Sequence, residues 1–284
     1  MFKEYFQLVR IPGIFTAFSN VLIGYFFSLS SNPDFTSLPF LLVTSGMLFS
    51  AGMIFNDFFD LNIDKKERPN RPLPSGKISK QKALFLGIIF LIIGNIFAFI
   101  VGYDSLIISL VMTGIILCYN YRLKFSSFLG IFSLSIIRFL NVLLGFSIIS
   151  FSYEIVQFAI PIAIFVGGIS ILAKNEIGFS TLVSQKLNKL LNFATIIYVC
   201  ILIIKNFQIE QLIFLSLFSL LSLNPFNNKQ NSKTKIQKQV TFQLLSIILL
   251  DATIITLFSS FYYGILVTLL VIPAYLITKK LYLT

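Results

Sequence analysis

Long apolar runs alternate with short polar connections along the whole chain. Ten runs fall at roughly 11–30, 37–58, 81–102, 104–120, 127–150, 155–173, 190–204, 208–223, 240–258 and 262–278. Each approaches the ~20 residues that carry a helix across a bilayer core. The runs are continuous, not alternating, which predicts α-helices and excludes a transmembrane β-barrel. The last two read either as two helices or as one long kinked element. The longer polar stretches lie at 59–80, 174–189 and 224–239. No internal repeat divides the chain, so residues 1–284 read as one all-α transmembrane domain, a polytopic bundle of nine or ten helices. The first run ends at Ser28–Asn32 without a small-residue cleavage pattern and reads as a retained helix.

Composition sharpens this picture. The chain is 56% hydrophobic and only 12% charged, against about 25% charged residues in a soluble domain. A soluble enzyme and a disordered chain are both excluded. Histidine is absent and there are two cysteines, which removes the commonest general base, the commonest metal ligand and any disulfide framework. Cys118 and Cys200 lie in apolar runs and read as small hydrophobes. Chemistry is left to carboxylates, Lys, Arg, Tyr, Asn or a bound hard cation.

The net charge of +11 is explained by topology. With the N-terminus inside, twenty Lys and Arg fall on the inner side and one, Lys205, on the outer; Arg138 lies within the fifth run. That asymmetry places both termini and the long polar loops in the cytoplasm. No nucleic-acid partner is needed to account for the basic balance. The stretch NPFNNKQNSKTKIQKQ reads as a solvated loop. The expected setting is a multi-pass protein of a bacterial inner (cell) membrane, surrounded by membrane lipids, with its site facing the cytoplasm.

The second run ends in Asn56-Asp57-Phe58-Phe59-Asp60-Leu61-Asn62-Ile63-Asp64. At about 100° per residue, positions 56, 60 and 64 of one helix share an arc of about 80°, with Asp57 at its edge. Oxygen ligands without His or Cys suit Mg²⁺, which bridges carboxylates to phosphates. Three aspartates at a helix C-terminus repel one another and oppose the helix dipole, so a cation is expected there. Asn56, Asp57, Asp60 and Asp64 are the expected metal ligands. Arg68 and Arg71 follow, suited to forked bonds with phosphate. Pro69, Pro72 and Pro74 stiffen the loop, and Gly76 ends it.

Arg138 is an intramembrane cation, costly unless it faces a polar cavity. It is a catalytic candidate, with Asn141 one turn along as a binding partner. The alternative is a structural pairing of Arg138 with Asp251 in the ninth run.

The run Asn56-Asp57-x-x-Asp60-x-x-x-Asp64, followed by Arg68-Pro69-x-Arg71-Pro72-x-Pro74-Ser75-Gly76, resembles the first aspartate-rich motif of the UbiA superfamily of intramembrane prenyltransferases. The resemblance implies a nine-helix core that holds a polyprenyl diphosphate with Mg²⁺, ionises it, and passes the prenyl group to an aromatic or other lipophilic acceptor. It implies Mg²⁺ roles for Asn56, Asp60 and Asp64, with Asp60 and Asp64 catalytic. Tyr119-Asn120-Tyr121-Arg122-Leu123-Lys124 is similar to the family's short Tyr/Lys loop. That implies a diphosphate contact from Lys124, with Arg122 beside it, and Tyr119 either orients substrate or anchors the interface. Family members carry a second Asp-x-x-x-Asp after the sixth helix. Here the stretch reads Ala173-Lys174-Asn175-Glu176-Ile177-Gly178-Phe179-Ser180-Thr181. Glu176 is its one carboxylate, a catalytic candidate, and Lys174 is expected to contact phosphate in place of part of the metal's charge. Phe55, Phe58 and Phe139 are candidates to face a prenyl carbocation. The expected function is Mg²⁺-dependent prenyl transfer. The alternative, suggested by the altered second motif, is an isoprenoid-binding protein without turnover. A transporter would gather its polar groups at the midplane, and the aspartate face lies instead at the inner surface.

Overall fold

The computed structural model of the chain describes residues 2–29, 36–150, 152–174, 182–205, 207–223, 233–279 and 281. These form α1 (Phe2–Leu8), α2 (Ile11–Leu29), α3 (Leu38–Phe59), α4 (Leu61–Glu67), α5 (Lys80–Val101), α6 (Tyr103–Tyr121), α7 (Ser127–Phe146), α8 (Tyr153–Lys174), α9 (Leu182–Lys205), α10 (Ile209–Leu223), α11 (Lys233–Ile255), α12 (Phe261–Thr268) and α13 (Val271–Thr278). No strand occurs among the described residues.

All ten apolar runs are helical. Among the described residues nine stretches are long and apolar enough to cross a membrane, with 261–278 counted as one, and α10 is shorter at 15 residues. The idea that the last two runs form one kinked element is corrected. A turn separates α11 from α12, and the kink lies later, between α12 and α13. Although short, α10 returns the chain across the bundle. Gln211 near its start donates to Thr256 O at 3.1 Å, and Ser222 O near its end accepts from Gln243 at 3.1 Å.

Helix starts follow local chemistry. Ser79 accepts from Lys82 N at the head of α5, and Ser126 from Leu129 N at the head of α7. One face of α5 carries Phe85, Ile88, Ile92, Ile96 and Phe99, all exposed. That apolar stripe at helical spacing suits lipid.

The main core joins α2, α7, α8, α10 and α11, with Tyr25, Phe146, Phe165 and Phe218 fully buried. α2 and α7 cross backbone to backbone. A Cβ on Gly145 would sit 2.0 Å from Val21 O, and one on Gly24 would sit 2.3 Å from Phe146 N. Small residues at such crossings supply the close packing that membrane helices depend on. A smaller cluster of Leu8, Ile54, Leu73, Ile78 and Ala83 pins the loop after α4 against the end of α3. In that loop Gly76 has φ +74°, a left-handed turn that glycine takes without strain.

Candidate active site

The bundle encloses a cavity of about 350 Å³ between α2, α3, α6, α7, α8 and α11. One end is polar, lined by Arg10, Asn56, Asp60, Arg68, Arg71, Tyr119, Asn120 and Lys174. Toward the interior the wall turns apolar, with Leu48, Phe49, Ile116, Leu134, Ile137, Val166, Ile169 and Leu244, and with Arg138 beside Thr16 as its polar feature.

The aspartate run does not form one ligand face, and that expectation is corrected. α3 ends at Phe59, Asp60 is the joint, and Asp64 belongs to α4. The run divides into two pairs. Asn56 and Asp60, about 40° apart on a helical wheel, line the cavity. Asp57 on α3 and Asp64 on α4 lie behind it. Both are buried, at 2% and 3% exposure. Arg71 Nη1 clamps the two, 3.3 Å from Asp57 Oδ1 and 2.9 Å from Asp64 Oδ2. Arg10 Nη2 adds a third contact, 3.2 Å from Asp57 Oδ1. Arg68 stands 4.0 Å from Asp64. Among the described residues no three Asp, Glu or Cys side chains converge as a metal site. Buried carboxylates are stable only when paired, and here arginines supply the pairing expected of a metal.

Arg10 is a site residue that sequence reasoning counted only as a topological charge. It joins α1 to α2 with φ +50°, a left-handed conformation that costs a non-glycine residue roughly 1–2 kcal/mol. Burial pulls its guanidinium below the ordinary value, and Asp57 opposes that pull. The signal available in sequence was its place immediately before the first long run, on the same side as the aspartates.

The other expected residues divide as well. Lys124 Nζ lies 2.6 Å from Asp60 Oδ1. Lys174, at the end of α8, lines the cavity and donates to Ser126 O at 2.6 Å. Arg122 is exposed and does not line the cavity. Asn141 is buried behind the wall and donates to Ala17 O at 2.8 Å. Glu176 lies outside the described residues. The direct Arg138–Asp251 pair is corrected to a bridged one. Arg138 Nη1 donates to Asn20 Oδ1 at 3.0 Å, and Asn20 Nδ2 donates to Asp251 Oδ2 at 2.8 Å. The aromatic candidates also change. Phe55 packs in the α3–α5–α6 core, Phe58 lies under Lys80, and Phe139 packs against the main core. Among the described residues the phenylalanine lining the cavity is Phe49, its ring centre 5.3 Å from the Arg138 guanidinium.

Mg²⁺ fits the polar end through oxygen donors. Asn56 and Asp60 both line the cavity. Asn120 is held to α3 one turn from Asn56 by a bond to Gly52 O, and its buried Oδ1 has no donor among the described residues. One carboxylate with amide oxygens is a set that Mg²⁺ completes with phosphate and water.

A family model described as the UbiA prenyltransferase family matches residues 17–283. The chain belongs to this family. Being a UbiA-type protein with these apolar helices, it is an integral, multi-pass membrane protein. The digeranylgeranylglyceryl phosphate synthase of Saccharolobus solfataricus is 34% identical over 128 residues, 45% of each chain. That of Methanococcoides burtonii is 36% identical over 138 residues, 45% of this chain and 48% of its own. The matched stretch thus spans about half the length of these relatives. The solved UbiA homolog from Archaeoglobus fulgidus bound to GPP and Mg²⁺ superposes with a TM-score of 0.68 at 16% identity, covering 93% of this chain and 99% of that one. At that identity the match establishes the shared fold.

Proposed function

We propose that this protein is a Mg²⁺-dependent prenyltransferase that moves a prenyl group from a polyprenyl diphosphate to a lipophilic acceptor, at the cytoplasmic face of the membrane. The observation that carries the reading is a single cavity with a cationic mouth and an apolar interior. Arg10, Arg68, Arg71 and Lys174 line that mouth and suit a diphosphate, which arginine forks bind with charge-assisted bonds. The apolar wall from Leu48 to Leu244 suits a prenyl chain and excludes water from its reactive carbon. Relatives named digeranylgeranylglyceryl phosphate synthase, and a fold neighbour holding GPP with Mg²⁺, support the same substrate class.

In this reading the Asp57–Arg71–Asp64 clamp holds one arginine in a fixed orientation toward the phosphates, and Arg10 is fixed by the same carboxylate. Asn56 and Asp60, with Asn120 beside them, would hold Mg²⁺, and the bound ion would neutralise charge building on the leaving diphosphate. As the allylic C–O bond breaks, the arginines stabilise the departing oxygens. Phe49 offers its ring face within the same cavity.

One observation favours retention of the diphosphate without turnover. The Lys124 ammonium occupies the Asp60 carboxylate at 2.6 Å. The two readings separate on purified protein incubated with Mg²⁺, geranylgeranyl diphosphate and candidate acceptors. Diphosphate release that stops on chelation is the expected result. Tight binding with no release in any combination would replace transfer by retention.

A further inference from the structure

Arg138 is the twelfth of the twenty residues of α7, near mid-membrane. It lines the same cavity as Asn56 and Asp60, but deeper. Thr16 lies six residues along α2 from Arg10, and Phe49 seven residues from Asn56 on α3, so the Arg138 level is roughly 10 Å below the mouth.

The guanidinium is held from behind by buried neutral groups. Nη1 donates to Asn20 Oδ1 and Nη2 to Thr16 Oγ1, each at 3.0 Å. Thr16 and Asn20 are 1% and 0% exposed. Asp251 is fixed one amide further back, and among the described residues no carboxylate lies within ion-pair distance of Arg138. Guanidinium has five donors and does not deprotonate in proteins. Three donors therefore remain, and the accessible part of the residue faces the cavity. A cation at this depth is costly without a partner, and its supports preset the fork toward the cavity.

We infer that Arg138 is the acceptor-head subsite and takes an oxyanion, phosphate or carboxylate, carried by an acceptor whose hydroxyl is the nucleophile. The inference rests on the prenyl-transfer reading. The nucleophile must come within about 3–3.5 Å of the prenyl C1 held at the mouth. The oxyanion then lies several ångströms further in, on Arg138. The hydroxyl oxygen forms the new C–O bond at C1. The old C–O bond breaks with its electron pair on the diphosphate, and the hydroxyl proton leaves with that diphosphate.

The test uses the full chain in nanodiscs with Mg²⁺ and geranylgeranyl diphosphate. The acceptors are an alkylglyceryl phosphate, a hydroxybenzoate and a neutral alkylglycerol. Wild type should prefer one of the two anionic probes, and which one identifies the oxyanion. Arg138→Gln should collapse the anionic-over-neutral ratio of kcat/KM by roughly 10- to 100-fold, with the Kd for geranylgeranyl diphosphate as in wild type. Equal losses on all three acceptors, or a matching loss of prenyl diphosphate affinity, would overturn the subsite. If Arg138→Gln does not fold, Arg138→Lys carries the test: it keeps the charge, loses the fork, and should shift the ratio part way, whereas an unchanged ratio overturns the inference. If wild type releases no diphosphate with any acceptor, prenyl transfer itself fails. Equilibrium dialysis of the radiolabelled anionic probes then decides the subsite: Arg138-dependent retention supports it, and no retention by wild type overturns it.

Discussion

Asp57 and Asp60 are three residues apart and do different work. Asp60 lines the cavity, whereas Asp57 and Asp64 are sequestered by Arg71. Asp60→Asn is therefore expected to lower Mg²⁺-dependent diphosphate release by about 10²–10³-fold and to weaken the Mg²⁺ dependence itself, with some loss of melting temperature because the buried Lys124 ammonium loses its 2.6 Å partner. Asp57→Asn and Asp64→Asn should instead act as a pair. Each breaks a buried ion pair, a loss on the order of 3 kcal/mol, and each should weaken prenyl diphosphate binding with the Mg²⁺ dependence retained. Melting curves and Mg²⁺ titrations of the three variants check this, and an Asp64→Asn profile matching Asp60→Asn would refute the division. The oxygen-rich composition of this run was legible in sequence. Its division was not, because helical periodicity shows which residues share a face and says nothing of which face meets an arginine from elsewhere. Arg10 reaches Asp57 across 47 positions, a contact no local pattern reveals.

At the scale of elements, apolar run length located every long helix, since a bilayer core demands continuous runs. The short α1 and α4 escaped because neither is long enough to show a period. The joint at Asp60 escaped because backbone bonds bridge it, Asp60 N to Asn56 O and Asp64 N to Asp60 O, so the spacing of the aspartates runs on across it. The Gly24–Gly145 crossing of α2 and α7 is the element contact that leaves least room. It also sets where Thr16 and Asn20 stand relative to Arg138. Gly145→Leu has to separate two backbones and should abolish recovery of folded protein. A Cβ on Gly114, an exposed position, meets nothing within 4 Å, so Gly114→Leu should change stability by no more than about 0.5 kcal/mol. Size-exclusion profiles and melting curves of both variants in detergent provide the comparison.

Across the whole molecule, the even number of crossings puts α2's start, α8's end and α11's start around one cavity, on one side of the bundle. The cation asymmetry predicts a cytoplasmic setting for that side. Reporters fused after Thr284 and inserted between residues 224 and 232 should both read as cytoplasmic; an external reading of either would refute the ten-crossing path. The short return helix carries a further consequence. Fifteen residues rise only about 22 Å, less than the roughly 30 Å hydrocarbon thickness of a typical bilayer, while α5, with its exposed apolar stripe, has 22 residues. The protein's hydrophobic belt is therefore uneven around its circumference. Lipids beside α10 must thin or their tails disorder, at fractions of a kcal/mol per ångström of mismatch, and long-chain bilayers magnify that strain. Reconstituted in a series of phosphatidylcholines of increasing acyl length, the protein should melt highest in the shorter members, and a melting temperature flat across the series would show that tilt absorbs the mismatch instead.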